Sequence, residues 1–226
     1  MMCDGLFLTS LLDELIAFDK QWLLQVNGSD SLYLDRLIRI LTNAVTWIPL
    51  YLSLFYIVIR NNETAAKILL VLAGEGLCVF FAGSLDDLIV KPTVARWRPT
   101  HDPEIGLLVD IVDGYRGGKY GFFSAHAANT FSIAVFFCWL VRSKLLSVAL
   151  VLWSFTNCYT RLYLGVHYPG DILVGLTWGF IVGTAVYFLI RHFTPGKIKY
   201  NASDANIPVA VLVYTLIYAL VKACIV

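Results

Sequence analysis

The sequence predicts an all-α integral membrane protein: six transmembrane helices, preceded by an N-terminal amphipathic helix that lies in the membrane interface. Two observations carry this expectation. Of 226 residues, 58% are hydrophobic and 15% charged, with a mean hydropathy of +0.72, whereas soluble domains average about 45–50% apolar and about 25% charged residues. The apolar residues also fall in runs close to the roughly 20 that a helix needs to cross the hydrocarbon core.

Residues 6–26 come first and differ from the later runs. Asp13, Glu14, Asp19, Lys20, Gln21 and Gln25 interrupt Leu11, Leu12, Leu15, Ile16, Phe18, Trp22 and Leu23, a mixture suited to lying on a membrane and not to crossing it. There is no basic leader and no small-residue cleavage site behind this stretch, so a removable signal peptide is not expected. Spans are expected at 41–59, 66–85, 122–141, 145–164, 171–190 and 207–225. The connections between them are short except for 86–121, a polar stretch with Pro92, Pro99, Pro103 and Gly117-Gly118; loops of this length are often functional. With no repeat and no second composition, residues 1–226 read as one domain.

Formal net charge is +1, which gives no reason to expect a nucleic-acid partner. The five cysteines, Cys3, Cys78, Cys138, Cys158 and Cys224, form no C-x-x-C pair and read as small apolar residues, not as a disulfide or zinc framework. No metal or other cofactor is expected.

Six alternating spans would gather several polar residues at one membrane face. Lys91 and Arg98 follow the second span, Ser124 and His126 open the third, Arg161 closes the fourth, and His167 and Asp171 lead into the fifth. Three cations and two histidines together suit an anion with several oxygens, because arginine grips phosphate two oxygens at a time and lysine adds a point charge. The start of the third span adds unpaired backbone N–H groups around Ser124 and Ala125. Two histidines permit one to attack phosphorus while the other protonates the leaving group. Asp171, four residues beyond His167, is placed to fix the imidazole tautomer.

In order, these residues spell Lys91-x6-Arg98-Pro99, Phe123-Ser124-Ala125-His126 and Thr160-Arg161-x5-His167-x3-Asp171. The set resembles the type 2 phosphatidic acid phosphatase (PAP2) superfamily, whose pattern is K-x6-R-P, P-S-G-H and S-R-x5-H-x3-D. The motifs cover 91–171. The departures are Phe123 for proline, Ala125 for glycine and Thr160 for serine. The resemblance implies a metal-independent lipid phosphatase or diphosphatase with His167 as the nucleophile that becomes phosphorylated, Asp171 orienting it and His126 as general acid. Lys91, Arg98, Ser124 and Arg161 would cradle the phosphate. The implied substrates are undecaprenyl diphosphate, a lipid A phosphate or a phospholipid phosphate, met at the bilayer.

Each residue taken singly has a plainer reading. Lys91, Arg98 and Arg161 could be anchors that snorkel to headgroups, and Ser124 could simply cap its helix. The rival functional reading is a lipid or anion transporter that binds phosphate without cleaving it, which leaves the two histidines and Asp171 unexplained. His101 and His192 read as solvated. Glu75, between Gly74 and Gly76, reads as hydrogen-bonded within the bundle, with Asn157 a candidate partner. Asp87 is placed to hold Lys91 if the helix continues, and Asn129 to support His126; Arg96, Arg116 and Lys119 share the long loop and its charge.

Basic residues do not settle sidedness. Arg60, Lys67, Arg142, Lys144, Arg191, Lys197 and Lys199 fall on one side and the other ten on the opposite one, so the positive-inside rule is uninformative. The resemblance implies a bacterial inner membrane location with the catalytic face extracytoplasmic.

Overall fold

A computed structural model describes residues 3–194 and 200–225, with side chains from residue 12 onward. The side chains of Cys3 and Leu11, and the residues Lys197 and Lys199, named above, lie outside that description.

Among the described residues the regular structure is helical: α1 Cys3–Val26, α2 Leu32–Thr42, α3 Ile48–Asn61, α4 Ala65–Val94, α5 Ala125–Val141, α6 Lys144–Tyr163, α7 Pro169–Phe193 and α8 Ala202–Ile225. Their starts are written in the sequence. Ser31, Thr64, Ser124 and Ser143 each accept a backbone N–H of the first turn on the side-chain oxygen, satisfying a donor that the helix leaves unpaired. α7 begins with Pro169, whose missing N–H costs nothing at that position.

Among the described residues, four stretches are long and apolar enough to cross a membrane: Ala44–Asn61, Ala65–Val94, Pro169–Phe193 and Ala202–Ile225. The first joins a 3-10 turn, Ala44–Trp47, to α3. Ala125–Val141 is a shorter apolar helix of 17 residues. Lys144–Tyr163 has 20 but carries Asn157 and Arg161. All six overlap the expected spans.

Two boundaries differ from expectation. α2 falls where only a short connection was expected; it has 11 residues, with Asp35, Arg36 and Arg39 on one side and Ile38 and Leu41 buried on the other. α4 does not stop at 85. It runs to Val94 through two wide π-type turns, Phe80–Ser84 and Asp86–Val90, and ends at Ala95 in the left-handed region, φ 52°. The long loop therefore begins only there. Asp86 and Lys91 belong to the helix, and their ion pair, 3.0 Å, depends on the wide winding. Residues five apart in an α-helix point about 140° away from each other, but they stack in a π turn.

α5 and α7 form the most intimate pair. Gly175, Gly179 and Gly183 of α7 face Ser124, Ala128 and Ser132 of α5, and a Cβ at Gly179 would sit 2.6 Å from the Ala128 carbonyl oxygen. Small residues four apart let two backbones touch, which is how helices associate where lipid removes the hydrophobic drive. Aromatic residues fill the space beyond, with Trp47 edge-on to Trp153 and Phe136 to Phe137. Cys78 and Cys158 are buried as small core residues. Glu75 does not meet Asn157, whose amide instead donates to the Trp153 carbonyl at 2.9 Å.

Candidate active site

The close α5–α7 contact sets the start of one helix beside the start of the other: the Ser124 N–H donates to the Asp171 carbonyl oxygen at 3.1 Å. The end of α4 is tied to the same point, because the buried Asp86 carboxylate accepts the Phe123 N–H at 3.2 Å while pairing with Lys91. Lys91, Arg98, His126, Arg161 and His167 thereby line one cavity of about 280 Å3, together with Asp87, Tyr115 and Asn129.

His167 is buried in the turn before α7. Arg98 fixes it from one side: its Nη1 lies 3.0 Å from His167 Nε2 and 3.0 Å from the Val166 carbonyl, while its Nε donates to the Tyr120 carbonyl at 3.1 Å. A guanidinium can only donate, so Nε2 carries the lone pair and the ring proton sits on Nδ1. Nδ1 faces Asp171 Oδ2 at 3.6 Å, too long for a hydrogen bond. Burial, then Arg98, Arg161 and Lys91 in turn, hold the imidazole well below its ordinary 6.5.

Asp171 is fully buried, and its oxygens are otherwise engaged. Oδ2 accepts the Tyr168 N–H at 3.0 Å, capping α7, and Oδ1 accepts from Arg96 Nη1 at 2.6 Å. Arg96 in turn pairs with Asp19 of α1 at 2.7 Å, and the other oxygen of Asp19 accepts the Gly170 N–H at 2.8 Å. Arg96 is thus a strut behind the site and does not line the cavity.

Arg161 is the deepest cation, 2% exposed. Its Nη1 donates to Thr42 Oγ1 at 2.5 Å and its Nη2 to Tyr115 Oη at 3.0 Å, while Nε has no partner among the described residues. Lys91 contacts both Asp86 and Asp87, the second at the helical spacing expected. An anion entering the cavity would therefore meet two arginines with donor capacity left and a lysine that two carboxylates hold at the wall. His126 lines the cavity from the first turn of α5. No hydrogen bond joins it to Asn129 among the described residues. Ser124 is wholly buried, and its hydroxyl oxygen accepts the Ala127 N–H at 3.4 Å, the capping role weighed for it above.

Of the residues singled out in the sequence, Lys91, Arg98, His126, Arg161 and His167 converge on the cavity, and Ser124 and Asp171 sit directly behind it. Sequence reasoning placed Tyr115 at the border of the site, where the cavity has it, but missed its bond to Arg161, the part of Thr42, and the strut that Asp19 and Arg96 form. Asp19, one of several charges that interrupt the apolar residues of α1, was the signal available for that strut.

Fold and site together define an all-helical protein with helices apolar enough to span a membrane and one cavity lined by three cations and two histidines. The chain belongs to the PAP2 superfamily, whose model matches residues 64–195. It is 41% identical over 186 residues to a lipid A 4'-phosphatase of Bacteroides thetaiotaomicron, covering 81% of this chain and 82% of that one. A lipid A 4'-phosphatase of Porphyromonas gingivalis is 32% identical over 178 residues, 78% of this chain and 74% of its own. A decaprenylphosphoryl-5-phosphoribose phosphatase of Mycobacterium tuberculosis is 35% identical over 114 residues, 50% of this chain and 57% of its own. No solved structure gives a significant match. Family and relatives make the chain a phosphatase, a phosphoric ester hydrolase; the transporter reading is not favoured.

Proposed function

We propose that the chain removes a phosphate group from a membrane lipid, a lipid A phosphate first among the candidates, through a phosphohistidine at His167. The observation that carries this is the Arg98–His167 contact: it leaves the imidazole lone pair on Nε2, among the cavity's cations. The substrate class follows the two lipid A 4'-phosphatases, which the chain matches over most of its length. Undecaprenyl diphosphate is the second candidate.

In the first step Nε2 attacks phosphorus, the P–N bond forms and the ester P–O bond breaks, and His126 gives its proton to the departing alkoxide. Lys91, Arg98 and Arg161 hold the phosphoryl oxygens, where charge builds as the bond breaks. In the second step water attacks the phosphohistidine, His126 takes the proton of the water, and inorganic phosphate leaves with Nε2 restored. Asp171 stabilises the Nδ1–H of the histidine while it carries positive charge. In this reading α3 to α8 cross a bacterial inner membrane, α1 rests on its surface, and the cavity faces the extracytoplasmic side.

Phosphate release from a panel of lipid phosphates by purified protein tests the reading. His167→Ala is expected to abolish release. His126→Ala is expected to slow lipid esters by about 100-fold or more and activated aryl phosphates far less, since only the former need a proton donor. Near-normal release by His167→Ala removes the phosphohistidine, and equal losses on both substrates remove His126 as the acid.

A further inference from the structure

Beside the catalytic cavity lies a second one, of about 220 Å3, to which no role has been given. Arg36 and Arg39 of α2 and Lys222 in the last turn of α8 converge on it, with Asn43 and Thr46 at the start of the next turn of chain. Asp113 is the one carboxylate of its lining and stands 3.8 Å from Arg39 Nε, a loose ion pair. Among the described residues no carboxylate lies within 4.0 Å of Arg36 or Lys222. Asn43 accepts the Val45 N–H on its side-chain oxygen, which leaves its amide donors free among the described residues.

Three like charges gathered at one cavity repel each other unless an anion joins them. Anchors that only snorkel to headgroups have no need to converge. The cavity is also coupled to the catalytic one. The Arg39 guanidinium lies over the Tyr115 ring, 4.7 Å from its centre, and the hydroxyl of that same tyrosine accepts from Arg161 inside the catalytic cavity. Tyr115 thus joins one cation of each cavity.

We propose that Arg36, Arg39 and Lys222 form a second phosphate-binding subsite. Its ligand is a phosphate group carried by a membrane lipid, either a second phosphate on the substrate or the headgroup phosphate of a neighbouring lipid. The proposal rests on reading the His167 cavity as the seat of the phosphate that is cleaved. Arg36 and Lys222 supply charge-assisted contacts from partly exposed positions. Arg39 stays with Tyr115, and Asp113 is displaced as the anion enters.

Binding in neutral-detergent micelles, in a His167→Ala background that cannot turn over, provides the test. The probes are a lipid bearing two phosphates, its counterpart bearing one, and phosphatidylglycerol. Adding Arg36→Gln with Lys222→Gln is expected to weaken the two-phosphate lipid about tenfold, the loss of two charge-assisted contacts. Asp113→Asn, which keeps a residue that tolerates the positive φ of 49° there, is expected to tighten it. A loss confined to the two-phosphate lipid identifies the substrate as the source. A loss shared with phosphatidylglycerol identifies a neighbouring headgroup. Unchanged affinity for all three lipids in a folded double variant overturns the subsite. Failure of the parent protein to release phosphate from any lipid, with these binding losses intact, overturns the proposed reaction and not the subsite.

Discussion

His167 is a buried imidazole whose neighbours are cations. The unfolded chain titrates it near the ordinary 6.5, while the folded chain holds it well below that. As pH falls from about 6.5 towards the lowered value the unfolded state takes up a proton that the folded state refuses, so this histidine costs stability on the acid side only. The expected outcome is a melting temperature in detergent that declines below pH 6.5 in the parent protein and declines less in His167→Asn. Parallel acid profiles for the two proteins would remove the effect. At this scale the sequence was informative because each motif sets its residues close together: His167 and Asp171 are one helical turn apart, and Lys91 follows Asp87 by the same interval. Tyr115 and Thr42, which hold Arg161, come from 46 and 119 positions away. No spacing announces a partner so distant.

Among the elements, α1 is the one whose role changes most when seen folded. Leu12, Leu15, Ile16, Phe18 and Trp22 remain exposed on it, yet Asp19 and Lys20 turn inward. Lys20 pairs with Asp102 at 3.2 Å and Glu104 at 2.7 Å, and Asp102 accepts from the Tyr168 hydroxyl at 2.7 Å. With Asp19 on Arg96 and Gly170, this makes α1 a clamp across the turn that carries His167. Arg96→Gln is expected to lower turnover by about 10- to 100-fold with little change in KM, since such supports act through the group they orient. Asp19→Asn is expected to lose less, because its contact with the Gly170 N–H survives. An unchanged turnover in Arg96→Gln would show that Asp171 keeps its place unaided. α2 was illegible for a different reason: its 11 residues are too few to span a membrane and Asp35, Arg36 and Arg39 break up the apolar ones, so a search for long apolar runs passes over it, although Ser31 marks its start. The helices of the bundle were legible because runs of apolar residues are the whole of their signal.

For the molecule as a whole, the direction of insertion decides which leaflet supplies substrate. Single cysteines at Lys144 and Glu104, both exposed and at opposite ends of the bundle, in a background without the native cysteines, report it through a membrane-impermeant thiol reagent on intact cells. Labelling at Glu104→Cys and not at Lys144→Cys is expected. The reverse pattern would put the cavity in the cytoplasm. Charge along the chain could not decide this, because the cations that would have voted on topology are spent on Asp171, on Asp86 and on the cavity itself.

The wide turns of α4 carry a consequence for which changes the site can absorb. Asp86 and Lys91 meet only because the winding between them holds extra slack, and taking out one residue would swing everything beyond it by about 100° around the axis. Leu88 and Ile89 are exposed there, so trading either for another apolar residue leaves the ladder of residues unchanged. The lysine of the cradle is therefore keyed to a count: the chain tolerates new letters in this stretch and does not tolerate a missing one.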